Sequence, residues 1–210
     1  MAELWLIAGP NGAGKTTCVQ HPGLSSLIPN TRFINPDAWT LDKLHKAGVA
    51  GFSSADPALL RRFFVEAANE VFSDVEQSIA NLKSVGIETV LSTGKYRPVV
   101  EQARQRGMFV GLIYVALSSP SLAIERVANR VQQAGHDVPS DKIIERWYRS
   151  LAQLPWFARH ASAFFVVDNS DSNPDLPPIL AASGKHGVLE FLAEETFGEL
   201  KVALEELPRK

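Results

Sequence analysis

The strongest constraint on this chain is a glycine-rich loop close to its first residue. The loop reads Gly9-Pro10-Asn11-Gly12-Ala13-Gly14-Lys15-Thr16, with Thr17 next. It follows Leu4-Trp5-Leu6-Ile7-Ala8, a continuous apolar run of the kind found in strands that are buried on both faces. A helical segment follows the loop. The pattern therefore predicts a strand, a tight loop and a helix in direct succession.

The spacing G-x-x-x-x-G-K-[ST] is suited to phosphate, because several backbone N–H groups must converge on one anion and glycine lets the backbone curl that tightly. Lys15 can reach the β and γ phosphates, Thr16 can offer its hydroxyl to Mg²⁺, and the helix N-terminus adds partial positive charge. We therefore predict a nucleotide site with Mg²⁺ at Thr16. Its residues are Gly9, Pro10, Asn11, Gly12, Ala13, Gly14, Lys15, Thr16 and Thr17, the last of which can contact the α phosphate.

Composition narrows the class of protein. A chain of 210 residues, 45% of them hydrophobic, can bury one sizeable core, so a single domain over residues 1–210 is expected. A formal charge of -2 gives no electrostatic reason to expect a nucleic-acid partner. The single cysteine, Cys18, rules out an intrachain disulfide and fits a reducing compartment. Since the first apolar run is too short for a signal peptide or membrane span, we expect a soluble, cytoplasmic protein without a membrane partner.

Strands and helices alternate along the chain. Apolar runs predict five strands, at residues 4–8, 32–35, 87–91, 108–117 and 163–167. Helices are predicted at 57–83, 99–106, 121–133, about 141–153 and about 190–206, and an exposed loop at 169–184. The alternation predicts a three-layer α/β fold with a mainly parallel five-stranded sheet flanked by helices.

Ligands of such folds lie beyond the carboxyl ends of the strands, where Asp37, Thr93 and Asp168 fall. No Asn-Lys-x-Asp guanine-reading motif occurs in the sequence, which argues against a regulatory GTPase. What remains is a kinase-like arrangement, with an Asp after the second strand and an arginine-bearing helical lid at about 121–150. A helical extension at about 185–210 would complete the domain.

Further motifs follow the glycine loop in order, from residue 4 to about 170. They are Asn35-Pro36-Asp37, Glu88-Thr89 with Ser92, the run from Arg126 to Pro139 that ends Gly-His-Asp-Val-Pro, Arg146 to Leu151, and Asp168-Asn169-Ser170. In this combination the sequence resembles the zeta-toxin family of P-loop kinases, particularly its shorter bacterial members that are described as predicted ATPases. The resemblance covers some four-fifths of the chain.

The resemblance implies a kinase-like P-loop fold and an ATP-dependent phosphotransferase. Characterised toxins of this family use ATP and Mg²⁺ to phosphorylate the sugar 3′-hydroxyl of UDP-N-acetylglucosamine. A toxin of this kind would also have an antitoxin protein as partner. Two other functions stay open: a kinase for a different small hydroxyl compound, and a regulatory module in which ATP hydrolysis changes the conformation of a partner.

Two carboxylates are the main candidates on the acceptor side. Asp37 matches the family's catalytic Asp, which would take the proton of the acceptor hydroxyl; the alternative is that it caps the next helix. Glu88 matches a Glu that contacts the acceptor, and an unpaired carboxylate in an apolar strand would need a partner; the alternative is an exposed strand position. Thr93 is expected to bind substrate as well.

The lid supplies candidate arginines. Arg126 and Arg130 lie four residues apart on one helical face, and Arg146 comes from the returning helix. Planar guanidinium groups hold two phosphate oxygens at once, although each arginine could equally be a solvated surface residue. We predict Asp37, Lys15, Arg126 and Arg130 as catalytic, and Asp37, Glu88, Thr93 and Arg146 as substrate-binding. His136 and Asp137 are expected to stabilise the lid loop, and residues 168–170 to form a turn near the adenine pocket.

The sequence departs from the family at one motif. Toxins carry Glu-Gly-Thr-x-Arg where this chain has Glu88-Thr89-Val90-Leu91-Ser92, so the basic residue is missing. Lys95 or Arg97 could replace it by reaching back from the next turn. The departure concerns the acceptor more than the ATP site.

Overall fold

A computed structural model describes residues 1–28, 31–133, 135–171, 173 and 176–210. Its centre is a seven-stranded sheet in the order β2-β3-β1-β4-β5-β6-β7. The strands are β1 (Glu3–Ala8), β2 (Arg32–Ile34), β3 (Val85–Thr89), β4 (Phe109–Ala116), β5 (Ala163–Asp168), β6 (Ile179–Lys185) and β7 (Val188–Leu192). The first five are parallel to one another, β6 is antiparallel to β5, and β7 is antiparallel to β6.

The helices begin where the sequence offers caps and prolines. Asp56 caps α4 through the N–H groups of Ala58 and Leu59, and Ser119 caps α6 through that of Leu122. The helices are α1 (Lys15–Gln20), α2 (Pro22–Ser25), α3 (Pro36–Lys46), α4 (Pro57–Ala80), α5 (Arg97–Gln105), α6 (Pro120–Gln132), α7 (Ser140–His160) and α8 (Gly198–Glu205). Short 3₁₀ turns lie at Phe52–Ser54 and Gly94–Tyr96.

The core lies on both sides of the parallel strands. Residues Leu4 to Ala8 of β1 and Val110 to Ala116 of β4 are almost wholly buried, as their continuous apolar sequence predicts. From the α7 side, Trp147 is buried and its indole N–H donates to the carbonyl of Leu117. In the part of the chain that the structure describes, none of the helices is both long enough and apolar enough to cross a membrane.

The prediction of a mainly parallel sheet flanked by helices is confirmed, but the number of strands is wrong. The segment expected to be an exposed loop, 169–184, contains most of β6, and the helix expected at about 190–206 is replaced by β7 and the shorter α8. The missed signal is His186-Gly187, where both residues have positive φ (51° and 77°), as the two-residue turn of a β-hairpin requires. Residues 185–210 are therefore a strand followed by a helix, and the predicted helical extension is corrected.

Two other boundaries bear on the site. The third strand ends at Thr89, not at Leu91, so residues 90–93 form a loop and Leu91 has a φ of 56°. Helix α3 starts at Pro36, directly after β2, so Asp37 lies just past the carboxyl end of that strand, as the sequence predicts. Since β1 lies between β3 and β4, the chain crosses over β1 on its way from β3 to β4. In sheets of this kind the ligand crevice lies at that reversal, beyond the carboxyl end of β1.

Candidate active site

The glycine loop leaves the carboxyl end of β1 and packs closely against two neighbouring elements. Gly9 has a φ of 143°, and a Cβ at this position would lie 2.1 Å from the carbonyl oxygen of Val115 in β4. A Cβ at Gly12, where φ is 74°, would lie 2.8 Å from the carbonyl oxygen of Ala123 in α6. Both positions therefore require glycine, because their positive φ disfavours other residues and because a Cβ would clash with a backbone oxygen.

Lys15 is buried at the start of α1 and points back along the loop. Its ammonium donates hydrogen bonds of 3.0 Å to the carbonyl oxygens of Gly9 and Pro10. Burial lowers the pKa of Lys15, while the carboxylates of Glu88 and Asp37 raise it. A buried cation that bonds only to neutral carbonyls is ready to exchange these partners for an anion.

Thr16 and Asn35 share one carboxylate oxygen of Glu88. The Thr16 hydroxyl donates to Glu88 Oε2 at 2.8 Å, and the Asn35 amide donates to the same oxygen at 3.1 Å. Strand pairing brings Glu88 close to the residues that follow β1, because Glu88 lies beside Ile7 in the parallel register of β1 and β3. Glu88 is thus partnered, as its position in an apolar strand requires.

The same residues fit a magnesium ion. The hydroxyl of Thr16 and the carboxylate of Glu88 are hard oxygen donors within one hydrogen bond of each other, and Mg²⁺ is usually held by one or two such groups together with water and phosphate. Among the described residues no group of three or more His, Cys, Asp or Glu side chains could hold a metal by itself. Two protein oxygens are too few to bind Mg²⁺ alone, so this donor set fits an ion that is bound together with the phosphates of a nucleotide.

Asp37 lies in the first turn of α3 without capping it. The cap is Asn35, whose side-chain oxygen accepts the backbone N–H of Asp37 at 2.8 Å. The carboxylate of Asp37 makes no hydrogen bond or ion pair to any residue in the described part of the chain, and the residue is exposed. The geometry leaves this carboxylate available to a ligand.

The three candidate arginines have different surroundings. Arg126 donates to the carbonyl oxygens of Asn169 and Asp171, both at 2.6 Å, and so ties the segment after β5 to α6. Arg130 donates to the carbonyl oxygen of His136 at 2.7 Å. The guanidinium of Arg146 makes no hydrogen bond or ion pair within the described ranges.

The segment after β5 also closes one side of the glycine loop. Asn169 donates from its side chain to the carbonyl oxygen of Ala13 at 2.9 Å, and its side chain lies against Gly14. The turn expected at 168–170 is present, since Asp168 accepts the N–H of Ser170 at 2.9 Å. Arg126 therefore holds this wall of the loop, on the side where α6 and β5 lie.

The described loop residues 135–139, in the segment predicted to be a lid, include His136, which contacts two phenylalanines. The ring of His136 lies 4.3 Å from that of Phe64 in α4 and 5.5 Å from that of Phe52, measured between centroids. Burial lowers the pKa of His136, with Asp37 and Asp137 acting against burial, and Arg130 and Arg146 acting with it. The loop-stabilising role expected of His136 agrees with these contacts, and they bring His136 within electrostatic reach of Asp37.

These elements enclose an open cleft of about 400 Å³ at the carboxyl edge of the sheet. It brings together eight of the predicted residues, which are Asn11, Gly12 and Lys15 of the loop region and Asp37, Glu88, Thr93, Arg130 and Arg146. Thr16 faces a neighbouring apolar cavity of about 460 Å³, and Arg126 lines neither space. Among the described residues that line the cleft, Asn11 Oδ1 and Arg130 Nε are buried polar atoms without a hydrogen-bond partner.

Sequence reasoning missed several residues of the cleft and its lid. Ala68 and Tyr96 line the cleft, and Phe52 and Phe64 support the lid, without any motif that marks them. Of the two candidate replacements for the missing arginine, Lys95 lines the cleft. Arg97 instead donates to Gln153 at 2.8 Å and stacks over Trp156 at 4.8 Å.

No protein-family model and no curated protein matches the sequence. Solved structures do match the fold. A chain of the AvrRxo1-ORF1:-ORF2 crystal structure with ATP superposes with a TM-score of 0.69 at 13% identity over 100% of this chain. A chain of the PezAT chromosomal toxin-antitoxin system of the human pathogen Streptococcus pneumoniae superposes with a TM-score of 0.55 at 17% identity over 99% of this chain.

The lengths differ, since this chain spans 64% of the AvrRxo1 chain and 78% of the PezAT chain. At such identities the likeness concerns the fold alone, which this chain shares with the AvrRxo1 and PezAT chains. The resemblance read from the sequence is thereby confirmed at the level of fold.

Proposed function

We propose that this protein is an ATP-dependent phosphotransferase that transfers the γ-phosphate to a hydroxyl group of a small acceptor, UDP-N-acetylglucosamine or a related nucleotide sugar. One observation carries the proposal: the loop lysine Lys15, the free carboxylate of Asp37 and the lid arginines Arg130 and Arg146 line a single cleft. The kinase-like fold and the family resemblance support it. The nucleotide sugar rests on the resemblance alone.

The phosphate side of the reaction follows from the loop. Its backbone N–H groups and the N-terminus of α1 hold the phosphates of ATP, and Lys15 exchanges the carbonyl oxygens of Gly9 and Pro10 for phosphate oxygens. Thr16 and Glu88 are the residues that would hold Mg²⁺, which supplies neutralisation of phosphate charge when it is bound. Arg130 and Arg146 add positive charge from the lid side.

The acceptor side depends on Asp37. As the acceptor oxygen forms its bond to the γ-phosphorus, the bond from that phosphorus to the bridging β-γ oxygen breaks and ADP leaves. The hydroxyl proton passes to the Asp37 carboxylate, which has no competing hydrogen bond within the described residues. Alignment of the two reactants supplies most of the rate, and the carboxylate a smaller part.

The direct test incubates the purified protein with ATP, Mg²⁺ and a panel of UDP-sugars, and follows phosphorylated sugar by mass spectrometry. Asp37→Asn should lower the rate by at least about a hundredfold and leave ATP affinity within about twofold. Asp42→Asn is the matched control, because Asp42 lies on the same helix and forms an exposed ion pair with Lys46. An Asp37→Asn variant as active as the wild type would overturn the assignment.

If no phosphorylated sugar is formed, either the acceptor is a different compound or the protein is not a kinase, and a second experiment distinguishes these explanations. A screen of cell metabolites for ATP-dependent phosphorylation would identify a different hydroxyl acceptor. ATP binding that is lost in Lys15→Ala, without transfer to any acceptor, would instead favour the regulatory module.

We also propose that the protein acts as a toxin with an antitoxin partner, since a chain of the PezAT toxin-antitoxin system shares its fold. Expression of the wild type should then slow growth, while expression of Asp37→Asn at the same level should not. Equal growth of the two strains would contradict this role and leave the phosphotransferase proposal standing.

A further inference from the structure

A buried serine joins helix α7 to one wall of the cleft. Ser150 is completely buried on the inner face of α7, which also carries Trp147 and Leu154. Its hydroxyl donates a hydrogen bond of 2.7 Å to the carbonyl oxygen of Val90, a residue that lines the cleft. A serine inside a helix often bonds back to a carbonyl of its own helix, four residues earlier. Here the bond instead connects α7 with the loop that follows β3.

Tyr114 of β4 completes a chain of two hydrogen bonds. Its hydroxyl lies 2.9 Å from the hydroxyl oxygen of Ser150, and the residue is completely buried. Ser150 has one hydroxyl proton, which it donates to Val90, so Tyr114 is the donor in the second bond. Burial raises the pKa of Tyr114, which keeps this donor protonated. Ser150 therefore links the core of the sheet to the carbonyl of Val90.

The peptide group between Val90 and Leu91 is held at both ends. Its carbonyl oxygen accepts from Ser150, and its N–H donates to the hydroxyl oxygen of Thr89 at 3.0 Å. Leu91 has a φ of 56°, in the left-handed region that bulky residues rarely adopt. Such a conformation costs free energy and persists only where the surroundings impose it. The two hydrogen bonds and the burial of the Leu91 side chain supply that constraint.

This peptide group lies between parts of the proposed transfer site. Glu88 comes two residues before Val90, and Thr93 comes three residues after it. On the other side of the contact, Arg146 lies about one turn before Ser150 on α7. Glu88, Thr93 and Arg146 line the same cleft. The hydrogen bond from Ser150 therefore fixes the cleft wall after β3 relative to the helix that carries Arg146.

We infer that Ser150 is a positioning residue for the transfer reaction, which acts through the carbonyl of Val90 to hold the wall formed by residues 90–93 in place relative to Arg146. This role rests on the proposed function, because the wall and the arginine need mutual alignment only if the cleft performs transfer. Ser150 itself is completely buried and does not line the cleft. Its two hydrogen bonds do not involve the glycine loop, so ATP binding should not depend on them.

The first experiment compares two variants that break the same hydrogen bond. Ser150→Ala removes the bonds to both Tyr114 and Val90, whereas Tyr114→Phe removes only the bond between the two side chains. Both should lower Tm by a few degrees. Only Ser150→Ala should lower kcat, by about tenfold, because a small misplacement of the reacting groups slows transfer strongly. Calorimetry should give both variants a Kd for ATP within about twofold of the wild type.

The pattern of kcat decides the outcome. Ser150→Cys keeps a weaker donor of similar size, so its kcat should fall between those of Ser150→Ala and the wild type. A wild-type kcat in Ser150→Ala, or equal losses of kcat in Ser150→Ala and Tyr114→Phe, would overturn the positioning role while the kinase activity stands. A wild type that phosphorylates no compound is a different result, since it removes the proposed function and this role in transfer together.

Amide hydrogen exchange tests the position of the wall directly. Ser150→Ala should speed exchange at residues 89–93 by about tenfold and leave exchange in the glycine loop unchanged, because the lost bond anchors only the first segment. Tyr114→Phe should leave exchange in both segments unchanged. Wild-type exchange at residues 89–93 in Ser150→Ala would show that the wall is held without the serine, and the inference would fail.

Discussion

The hydroxyl of Thr16 donates a hydrogen bond of 2.8 Å to Glu88 Oε2, which joins the start of α1 to the end of β3. Asn35, the cap of α3, donates to the same oxygen. A single carboxylate thus connects the residue expected to meet Mg²⁺ with the helix that carries Asp37. A change at Glu88 should therefore affect both sides of the cleft.

We predict that Glu88→Gln lowers kcat by about a hundredfold or more and raises the Mg²⁺ concentration needed for half-maximal activity. Gln keeps the size of the side chain and an oxygen that can accept from Thr16, but it removes the negative charge. Kinetics at varied Mg²⁺ test this, with Glu101→Gln on the exposed face of α5 as control. A normal Mg²⁺ dependence would mean that Glu88 does not support the ion.

Lys15 should show a conflict between stability and binding. Burial lowers its pKa, so the empty loop disfavours the charge that nucleotide binding needs. We predict that Lys15→Met abolishes detectable ATP binding and yet raises the free energy of unfolding of the nucleotide-free protein by about 1 kcal/mol, or about 2–4 °C in Tm.

Calorimetry with ATP and thermal unfolding without it would measure the two effects. Lys46→Met is the control, since Lys46 forms an exposed ion pair with Asp42 and its loss should change little. A Lys15→Met protein that melts below the wild type would show that the bonds to Gly9 and Pro10 outweigh the desolvation of the ammonium.

The loop could be predicted because its requirements are local. Gly9, Gly12 and Lys15 are set by the spacing of one motif, and the strand before them by its own apolar run. The hairpin of β6 and β7 was missed because Ile179–Lys185 contains mainly small residues and gains its burial from β5, far earlier in the chain. Only the turn at His186-Gly187 marks it locally.

The contacts of the lid arginines likewise could not be predicted from the sequence. Helical spacing places Arg126 and Arg130 on one face, and that much is observed in α6. Their partners are decided by two different segments, the residues after β5 for Arg126 and the lid loop for Arg130. The support of the lid by Phe52 and Phe64 likewise joins segments far apart in sequence, which periodicity cannot reveal.

We predict that Phe64→Ala weakens catalysis from a distance. Loss of the ring contact with His136 frees the loop whose carbonyl oxygen holds Arg130, so the arginine is less well positioned. We expect kcat/KM to fall about tenfold, mostly in kcat, with Phe64→Leu in between.

Val65→Ala provides the control on the same helix, because Val65 is 57% exposed. Circular dichroism should be unchanged in all three variants. A Phe64→Ala enzyme with wild-type kinetics would mean that the lid holds Arg130 without the phenylalanine.

His136 should make folding stability depend on pH. Its pKa is lowered from 6.5, chiefly by burial, with Arg130 and Arg146 adding to the shift and Asp37 and Asp137 opposing it. Between that lowered pKa and about 6.5 the unfolded chain binds more protons than the folded protein. The free energy of unfolding therefore falls as the pH drops through this window.

The pH effect can be isolated with two asparagine variants. His136→Asn should flatten the fall of Tm between pH 7 and pH 5, and the difference should stay below about 1 kcal/mol because solvent screens a half-buried group. His186→Asn should leave the fall unchanged, since His186 is exposed in the hairpin turn and Asn tolerates its φ of 51°. If both variants follow the wild-type curve, His136 does not titrate against folding, and another titratable group causes the fall of Tm.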